Sequence, residues 1–458
     1  KFHMPTAYTI LFLLLILVAA ATWIIPAGSY DYVDGVPVAG TYHAVEQNPQ
    51  GVGDVLKAAF SGFYDAVDVC IFILMVGGFL GVVMKTGAVD AGVANVIRLL
   101  GGREKWLIPI LMLLFGLGGT TYGMWEETMA FYPLLIPVFL AAGYDAVVGI
   151  SVILLGAGAG VIASTVNPFA TGIAAGFAGV SLGEGIVLRL LEWVAFEAAA
   201  IWFVMAYAAR IKRNPSKSVV GVGAGKIQVT MDQQVPFTAK RKVIMAFFTL
   251  TFLIMVYAVV PFDEMGLPLP TLGWWFPELS ALFLVAGVVI GLIDRMSEEE
   301  LVETYVAGCA DLLGVAFIIG ISRGITVLMR DGAITDTILH WGEAALSGAG
   351  AVSFTLLVFV LYLPLTILIP SSSGLATLSI PIVAPLGKFA GVGGDLVVTA
   401  FQSASGLVNI LTPTAAVVMG ALALGHVPYD RWVKYVWKLM LWFLLLALVF
   451  LVAGVLLG

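Results

Sequence analysis

Apolar residues run through this chain in long blocks, and polar residues are confined to short intervals between them. The clearest blocks are 7–27, 66–84, 241–261, 278–293 and 430–457, several of them reaching the roughly 20 residues that a helix needs to cross a bilayer core. Four further apolar segments, 106–120, 128–142, 145–180 and 188–211, are broken by or border on glycine, proline or carboxylate residues. The block 7–27 ends in Trp23-Ile24-Ile25-Pro26 with no small-x-small cleavage pattern after it. It is therefore read as a retained first helix rather than a leader.

The pattern also repeats, with the second half echoing the first about 245 positions later. Lys85-Thr86-Gly87-Ala88 returns as Arg330-Asp331-Gly332-Ala333, and the Pro-rich stretch 133–137 as 381–385. Asp145 answers to Asp395, and Asn167-Pro168 to Thr412-Pro413. Repeated halves in so apolar a chain point to a transporter, because two such halves can alternate access to one central site.

Composition narrows the class. The chain is 60% hydrophobic and only 11% charged, with a mean hydropathy of +1.04, which excludes an ordinary soluble domain. The net charge of −7 says little, because the placement of Lys and Arg matters more than their sum. Cys70 and Cys309 sit in apolar runs without metal spacing and read as buried free thiols. The four histidines show no ligand spacing either, and no nucleotide-binding motif is present. No enzyme activity, resident cofactor or nucleic-acid partner is expected. The lipid bilayer and a small-molecule substrate are.

Charge placement sets a topology. The stretch 210–242 carries eight Lys and Arg residues against the single acid Asp232, whereas 28–54 and 262–278 carry acids and no Lys or Arg. By the positive-inside rule the first is cytoplasmic and the other two external. Between 54 and 213 the chain must then cross an odd number of times. Five full spans satisfy this, and so do three if 106–142 enters and leaves on one side as a helical hairpin. Gly116, Gly118, Gly119 and Gly123 favour the hairpin, as does the repeat, in which 350–390 has the same form around Pro370-Ser371-Ser372-Ser373-Gly374. The matching helices 66–84 and 306–329 begin on opposite sides, so the repeats are inverted. Short amphipathic pieces at 88–101 and 333–347 are placed at the interface.

The fold class that follows is an all-α polytopic membrane protein with about nine spanning helices and two re-entrant hairpins. The first scaffold helix and external loop occupy 1–53. Repeat 1 is 54–212, with hairpin 106–142 and broken helix 145–180. A cytoplasmic linker at 213–240 and scaffold helices at 241–295 lead into repeat 2 at 296–458, with hairpin 350–390 and broken helix 394–424. The N-terminus lies inside and the C-terminus outside a bacterial inner membrane.

Two hairpin tips and two proline-broken helices converge, and proline frees a carbonyl one turn back. Such backbone is tolerated at membrane depth only inside protein or around a cavity. At the first tip Glu126, Glu127 and Thr128 offer adjacent carboxylates and a hydroxyl, and intramembrane ionisable groups are functional candidates by default. They could hold a cationic substrate, coordinate sodium or carry a proton. The second tip offers the hydroxyls of Ser371, Ser372 and Ser373. Asn167 and Thr171 at one break, and Asn409, Thr412 and Thr414 at the other, complete the polar set. Sodium would sit near Glu127, Asn167, Ser372 and Thr412. Arg323 is either a bidentate partner for a substrate carboxylate or a structural partner of a tip glutamate. Arg189 and Glu192, spaced i,i+3, read as a surface pair; Glu197 is left open. Asp68 and Asp311 read as caps near helix starts.

The opening Phe2-His3-Met4-Pro5-Thr6-Ala7-Tyr8-Thr9, the run Trp23 to Gly28, the tip Glu126-Glu127-Thr128 and the run Asn167-Pro168-Phe169-Ala170-Thr171 resemble the YfcC family of DcuC-like carriers over essentially the whole chain. The resemblance implies membership of the ion-transporter superfamily, dimers, and an elevator in which a domain holding both hairpins slides past a scaffold. On that basis 66–180 and 306–424 are assigned to the transport domain, and 7–27, 188–211, 241–261, 278–293 and 430–457 to the scaffold. The family covers proposed four-carbon dicarboxylate carriers and arginine/ornithine exchangers. The Ser-Asn-Thr tip of the sodium-dicarboxylate members is replaced here by Glu126-Glu127-Thr128 and the serine run. Two carboxylates would repel a dianion, so the leading expectation is a basic amino acid, moved by exchange or by sodium or proton coupling. A sodium- or proton-coupled carboxylate carrier is the alternative within transport, and an ion channel the alternative of another class.

Overall fold

The computed structural model describes residues 7–33, 36–89, 91–92, 95, 103–181, 183–221, 236–259, 262, 268–274 and 276–457. The linker 213–240, the loop 262–278 and the amphipathic piece 88–101 fall partly outside these residues. Helices make up most of what is described. Five are long and apolar enough to cross a bilayer: Val67–Lys85, Phe276–Asp294, Glu298–Asp331, Ala351–Leu368 and Tyr429–Leu457. The expected hairpin arm at 351–368 is therefore itself long enough to span.

The helices pack in two groups. In the first, Val67–Lys85 and Glu298–Asp331 lie along each other and are flanked by Ala7–Ala21, Val52–Asp65 and Phe276–Asp294, with Ala239–Val259 beyond. Glycines permit the approach: a Cβ at Gly308 would overlap the Gly77 carbonyl oxygen, and one at Gly81 would crowd the Gly308 Cα. Close backbone contact through small residues supplies dispersion energy where lipid offers no hydrophobic drive. The second group holds Leu107–Tyr122, Tyr132–Ala141, Ala146–Ile162, Ile186–Arg213, Ala351–Leu368, Ser372–Phe389, Gly394–Asn409 and Tyr429–Leu457.

This packing crosses the expected boundary between transport domain and scaffold without deciding which helices move. Segments 66–84 and 306–329 pack with 241–261 and 278–293, whereas 188–211 and 430–457 pack with the hairpins and broken helices. Repeat position does not reveal packing partners, because the glycine seam that selects them is spread over both halves. Val52–Asp65 was missed as a helix. Its large apolar residues Val52, Leu56, Phe60 and Tyr64 form an exposed i,i+4 stripe, while Val55, Ala58, Ala59 and Gly62 are buried. It continues almost directly into Val67–Lys85, so the pair matches the 34-residue Glu298–Asp331, which begins eight residues before the expected 306.

Both expected tips and both breaks are present. Leu107–Tyr122 ends at Gly123 in the left-handed conformation (φ +78°), and a 3-10 turn Glu126–Phe131 leads into Tyr132–Ala141. Ala351–Leu368 and Ser372–Phe389 flank the second tip. Ala146–Ile162 is separated from Ile173–Ala178 by residues that include a π-helical turn, Pro168–Gly172. Gly394–Asn409 is separated from Ala416–Leu424.

The loop after Ala7–Ala21 carries two small antiparallel pairings, Gly28–Ser29 with His43–Ala44 and Tyr32–Val33 with Val36–Pro37. It grips the amphipathic helix Thr335–Leu346. Tyr30 donates its backbone N–H to Asp336 (3.0 Å) and its hydroxyl to Glu343 (2.8 Å), and Tyr32 donates to Asp336. Tyr42 stacks on His340 with ring centroids 4.1 Å apart.

The glycine seam predicts that Gly308→Val overpacks the first group, at a cost of about 1–3 kcal/mol. Its melting temperature in detergent should fall by several degrees. Gly350→Ala, where a Cβ meets nothing within 4 Å, should melt with the parent; equal melting of Gly308→Val would contradict the seam.

Candidate functional site

The first tip is locked to the first break by two threonines. The Thr120 hydroxyl donates to the Ala163 carbonyl (2.9 Å), and the Thr165 hydroxyl donates to the Thr120 carbonyl (2.9 Å). The Thr165 backbone N–H is shared between the Thr120 carbonyl and hydroxyl. Gly123 is required twice over, for its positive φ and because a Cβ there would overlap the Asn167 side chain. Asn167 also accepts from the Ala170 N–H, and its carbonyl accepts from Gly172 across the π-turn. Thr171 is fully buried with its hydroxyl 3.5 Å from the Ser164 carbonyl.

The tip carboxylates diverge. Glu127 is buried and turns back to accept the Trp125 N–H at 3.1 Å, while Thr128 donates to the Trp125 carbonyl. Glu126 instead lines a cavity of about 40 Å³, together with Val69, Trp125, Ile319, Ser322, Arg323, Pro370 and residues 414–417. Among the described residues, Glu126 and Arg323 share this cavity without an ion pair within 4 Å. The first tip, the start of the second tip, the second break and the long helix Glu298–Asp331 thus meet at one place, between the two helix groups.

The second tip and break are held differently. Ser371 caps Ser372–Phe389 by accepting the Gly374 N–H at 3.2 Å and lies 3.4 Å from the Ser373 hydroxyl. At the break, the Thr412 and Thr414 hydroxyls are 2.8 Å apart, and Ser322 donates to the Thr414 carbonyl at 2.5 Å. The carbonyls of Ile410 and Leu411 accept from the Trp432 indole and the Tyr429 hydroxyl. Asn409 is buried with its amide oxygen unsatisfied among the described residues.

Of the sequence candidates, Glu126, Arg323 and Thr414 line the central cavity. Thr412 supports it, and Glu127, Thr128, Asn167 and Thr171 build the tip and break behind it. Ser371, Ser372 and Ser373 stand beside Pro370 without lining the cavity. Ser322 was missed, although it directly precedes Arg323. Gln402 was also missed; it donates to the Val161 carbonyl at 2.6 Å and so ties the second broken helix to the end of the first. Thr399, Gln402 and Asn409 recur at steps of three and seven residues in a largely apolar helix, which was the available signal.

A larger cavity of about 620 Å³ opens one turn away, lined by Tyr8, Asp311, Val315, Ile318, Met419, His426, Tyr429 and Asp430 among others. Met129 packs over Gly420 and against Val315 where the two cavities approach. Asp311 is no cap, because its helix begins at Ser297. Arg189 and Glu192 are no surface pair: they are 1% and 0% exposed, since this helix is covered by the second group. Glu192 accepts from the Ser403 hydroxyl at 2.8 Å.

The sequence matches a family model along nearly its whole length. Residues 4–456 fit DcuC, described as C4-dicarboxylate anaerobic carrier. The chain belongs to the DcuC family. It is a membrane transporter of that kind. An uncharacterized protein of Haemophilus influenzae is 35% identical over 99% of this chain and 97% of its own length. A putative basic amino acid antiporter YfcC of Escherichia coli is 30% identical over 95% of this chain and 93% of its own length. Among solved structures, the Alcanivorax borkumensis YdaH transporter is 16% identical with a TM-score of 0.43, covering 98% of both chains. Neisseria gonorrhoeae MtrF, presented as illuminating a class of antimetabolite efflux pumps, is 17% identical with a TM-score of 0.43, covering 98% of this chain and 94% of its own. Both likenesses are distant.

In this DcuC-family chain the threonine lock should act as a unit. Thr120→Val and Thr165→Val should each lower stability by about 1–3 kcal/mol through orphaned buried partners, and the double variant by less than their sum. Melting curves of the four proteins test this, and strict additivity would show that the threonines do not form one lock.

Proposed function

We propose that this chain is a secondary transporter of small amino acids, basic ones foremost, working by alternating access around the 40 Å³ cavity. The observation that carries the reading is the facing of Glu126 and Arg323 across one cavity without pairing to each other. Opposite charges held apart suit a substrate that brings both signs. Arg323 would take the α-carboxylate bidentately, and Glu126 the cationic end. This moves the role expected of both glutamates onto Glu126, since Glu127 is occupied within its own tip. The serines of the second tip remain available to a longer substrate.

The cavity has room for little more than one water, so binding requires the tips to part. The larger cavity would be the route in. It is lined by Asp311 and Asp430 with no Lys or Arg among the described lining residues, a field that favours cations. By the charge argument it opens toward the cytoplasm, with Met129 as the barrier. In this proposal the hairpins are re-entrant, the repeats inverted and the N-terminus inside. The group that carries the hairpins moves against the other, as an elevator would, in a homodimer. The name of the Escherichia coli relative agrees with the substrate class.

The family description favours a second reading, a sodium- or proton-coupled dicarboxylate carrier. Arg323 would then meet one carboxylate, with the coupling ion near Glu127, Asn167, Ser372 and Thr412.

Proteoliposome uptake of labelled arginine and succinate, with and without a sodium gradient and with internal ornithine, separates the two. Arginine uptake stimulated by internal ornithine is the expected result, and sodium-driven succinate uptake would replace it with the second reading. Glu126→Gln should weaken arginine about ten-fold more than a neutral amino acid, the worth of one charge-assisted bond. Arg323→Gln should weaken both alike. Equal loss of both substrates in Glu126→Gln would remove it from the cationic end.

A further inference from the structure

Glu197 takes no part in the site described above. It lies in Ile186–Arg213 and is 1% exposed. Among the described residues, neither carboxylate oxygen has a hydrogen-bond partner. The carboxylate rests directly on Gly116 of the first hairpin arm, where a Cβ would overlap it. The Trp193 indole N–H, one turn earlier on the same helix, interacts with the carboxylate without reaching full hydrogen-bond geometry.

The surrounding charges do not account for Glu197. On its own helix, Glu192 is held by Ser403, and Arg189 lies a turn beyond Glu192, two turns from Glu197. Arg210, Lys212 and Arg213 are at the far end. On the elements packed against this helix, Asp145 caps Ala146–Ile162 and accepts from Tyr207 and Ser218. Arg431, Lys434 and Lys438 of Tyr429–Leu457 are exposed, Asp430 faces Arg431, and Tyr435 meets Ser151. Glu104 and Lys105 sit at the outer start of the hairpin arm, and Asp395 at the start of Gly394–Asn409. None forms an ion pair or hydrogen bond with Glu197 among the described residues.

A carboxyl buried in an apolar, membrane-spanning body without a counter-charge is costly to ionise, and such residues mark proton relays. The hairpin arm meets it at a glycine, Gly116, so a displacement of that arm by a few ångströms would loosen its cover. We propose that Glu197 is the proton-binding group through which a proton gradient drives transport. It holds a proton while the arm is closed over it and releases it to water when the tips part and the first hairpin arm shifts against Ile186–Arg213 within the moving group. One proton joins a carboxylate oxygen from the water on one side and leaves to the water on the other; no other bond changes. This rests on the reading of the chain as a secondary transporter.

The test uses the full chain in proteoliposomes, with labelled arginine or succinate, whichever the parent carries, so the substrate panel and the proton role fail separately. The parent should accumulate substrate under an imposed pH gradient and also exchange it against unlabelled internal substrate. Glu197→Gln should keep exchange close to the parent's rate and lose accumulation driven by the pH gradient. Glu197→Asp should retain that accumulation with a displaced pH profile, and Glu192→Gln should retain it outright. Accumulation by Glu197→Gln equal to the parent's overturns the proposal. So does loss of exchange at an unchanged melting temperature, or a parent indifferent to the pH gradient. Should Glu197→Gln not fold, a Glu197→Asp profile identical to the parent's overturns it.

Discussion

A helix interrupted inside a bilayer exposes backbone groups that water cannot reach, so each must find a partner in the protein. This chain breaks two helices in its buried interior, and the partners come from far along the sequence. Gln402 reaches the Val161 carbonyl, and Trp432 and Tyr429 reach the carbonyls of Ile410 and Leu411. Ser322 reaches the Thr414 carbonyl, and Thr120 with Thr165 joins the first tip to the first break. A buried orphan costs about 1–3 kcal/mol, so the breaks and the elements around them can exist only together. The central cavity is the space left where these obligations meet.

The two helix groups are built on different contacts. Within the first, glycines bring backbones together at Gly77, Gly81 and Gly308, a fit that tolerates little sliding. Between the groups, Val315 lies over Gly420, Phe131 meets Phe252 at 4.8 Å between ring centroids, and Ser322 makes one hydrogen bond across. Apolar side-chain contacts re-form easily after displacement, whereas the glycine seam does not. The softer surface is also the one that carries Glu126 and Arg323.

Much of this was legible in the chain. Glycine at 123 and proline at 168 and 413 mark where helices must stop, because the causes are local to the backbone. The opposed fates of Glu126 and Glu127 were not legible, since adjacent residues in a 3-10 turn point to different sides and only the fold says which side is hollow. Arg189 and Glu192 have the same i,i+3 spacing on a wet face or a buried one. Val52–Asp65 escaped notice because its exposed stripe and its polar residues, Asp54 and Lys57, resemble an interfacial loop. The packing partners of Val67–Lys85 depend on glycines 230 positions apart, a distance over which periodicity carries no information.

The grip of the early loop on Thr335–Leu346 has a consequence for how the protein is made. Tyr30 and Glu343 are 313 residues apart, and Asn48 likewise donates to the Asp331 carbonyl. At roughly 5–20 residues per second, the ribosome needs about 15–60 s to deliver these partners after the loop has emerged. Throughout that interval Tyr30, Tyr32 and Tyr42 lack their partners on Thr335–Leu346, and Ala7–Ala21 waits for Glu298–Asp331. The first half therefore cannot settle as a finished unit, and assembly of the start of the chain is timed by the synthesis of its second half.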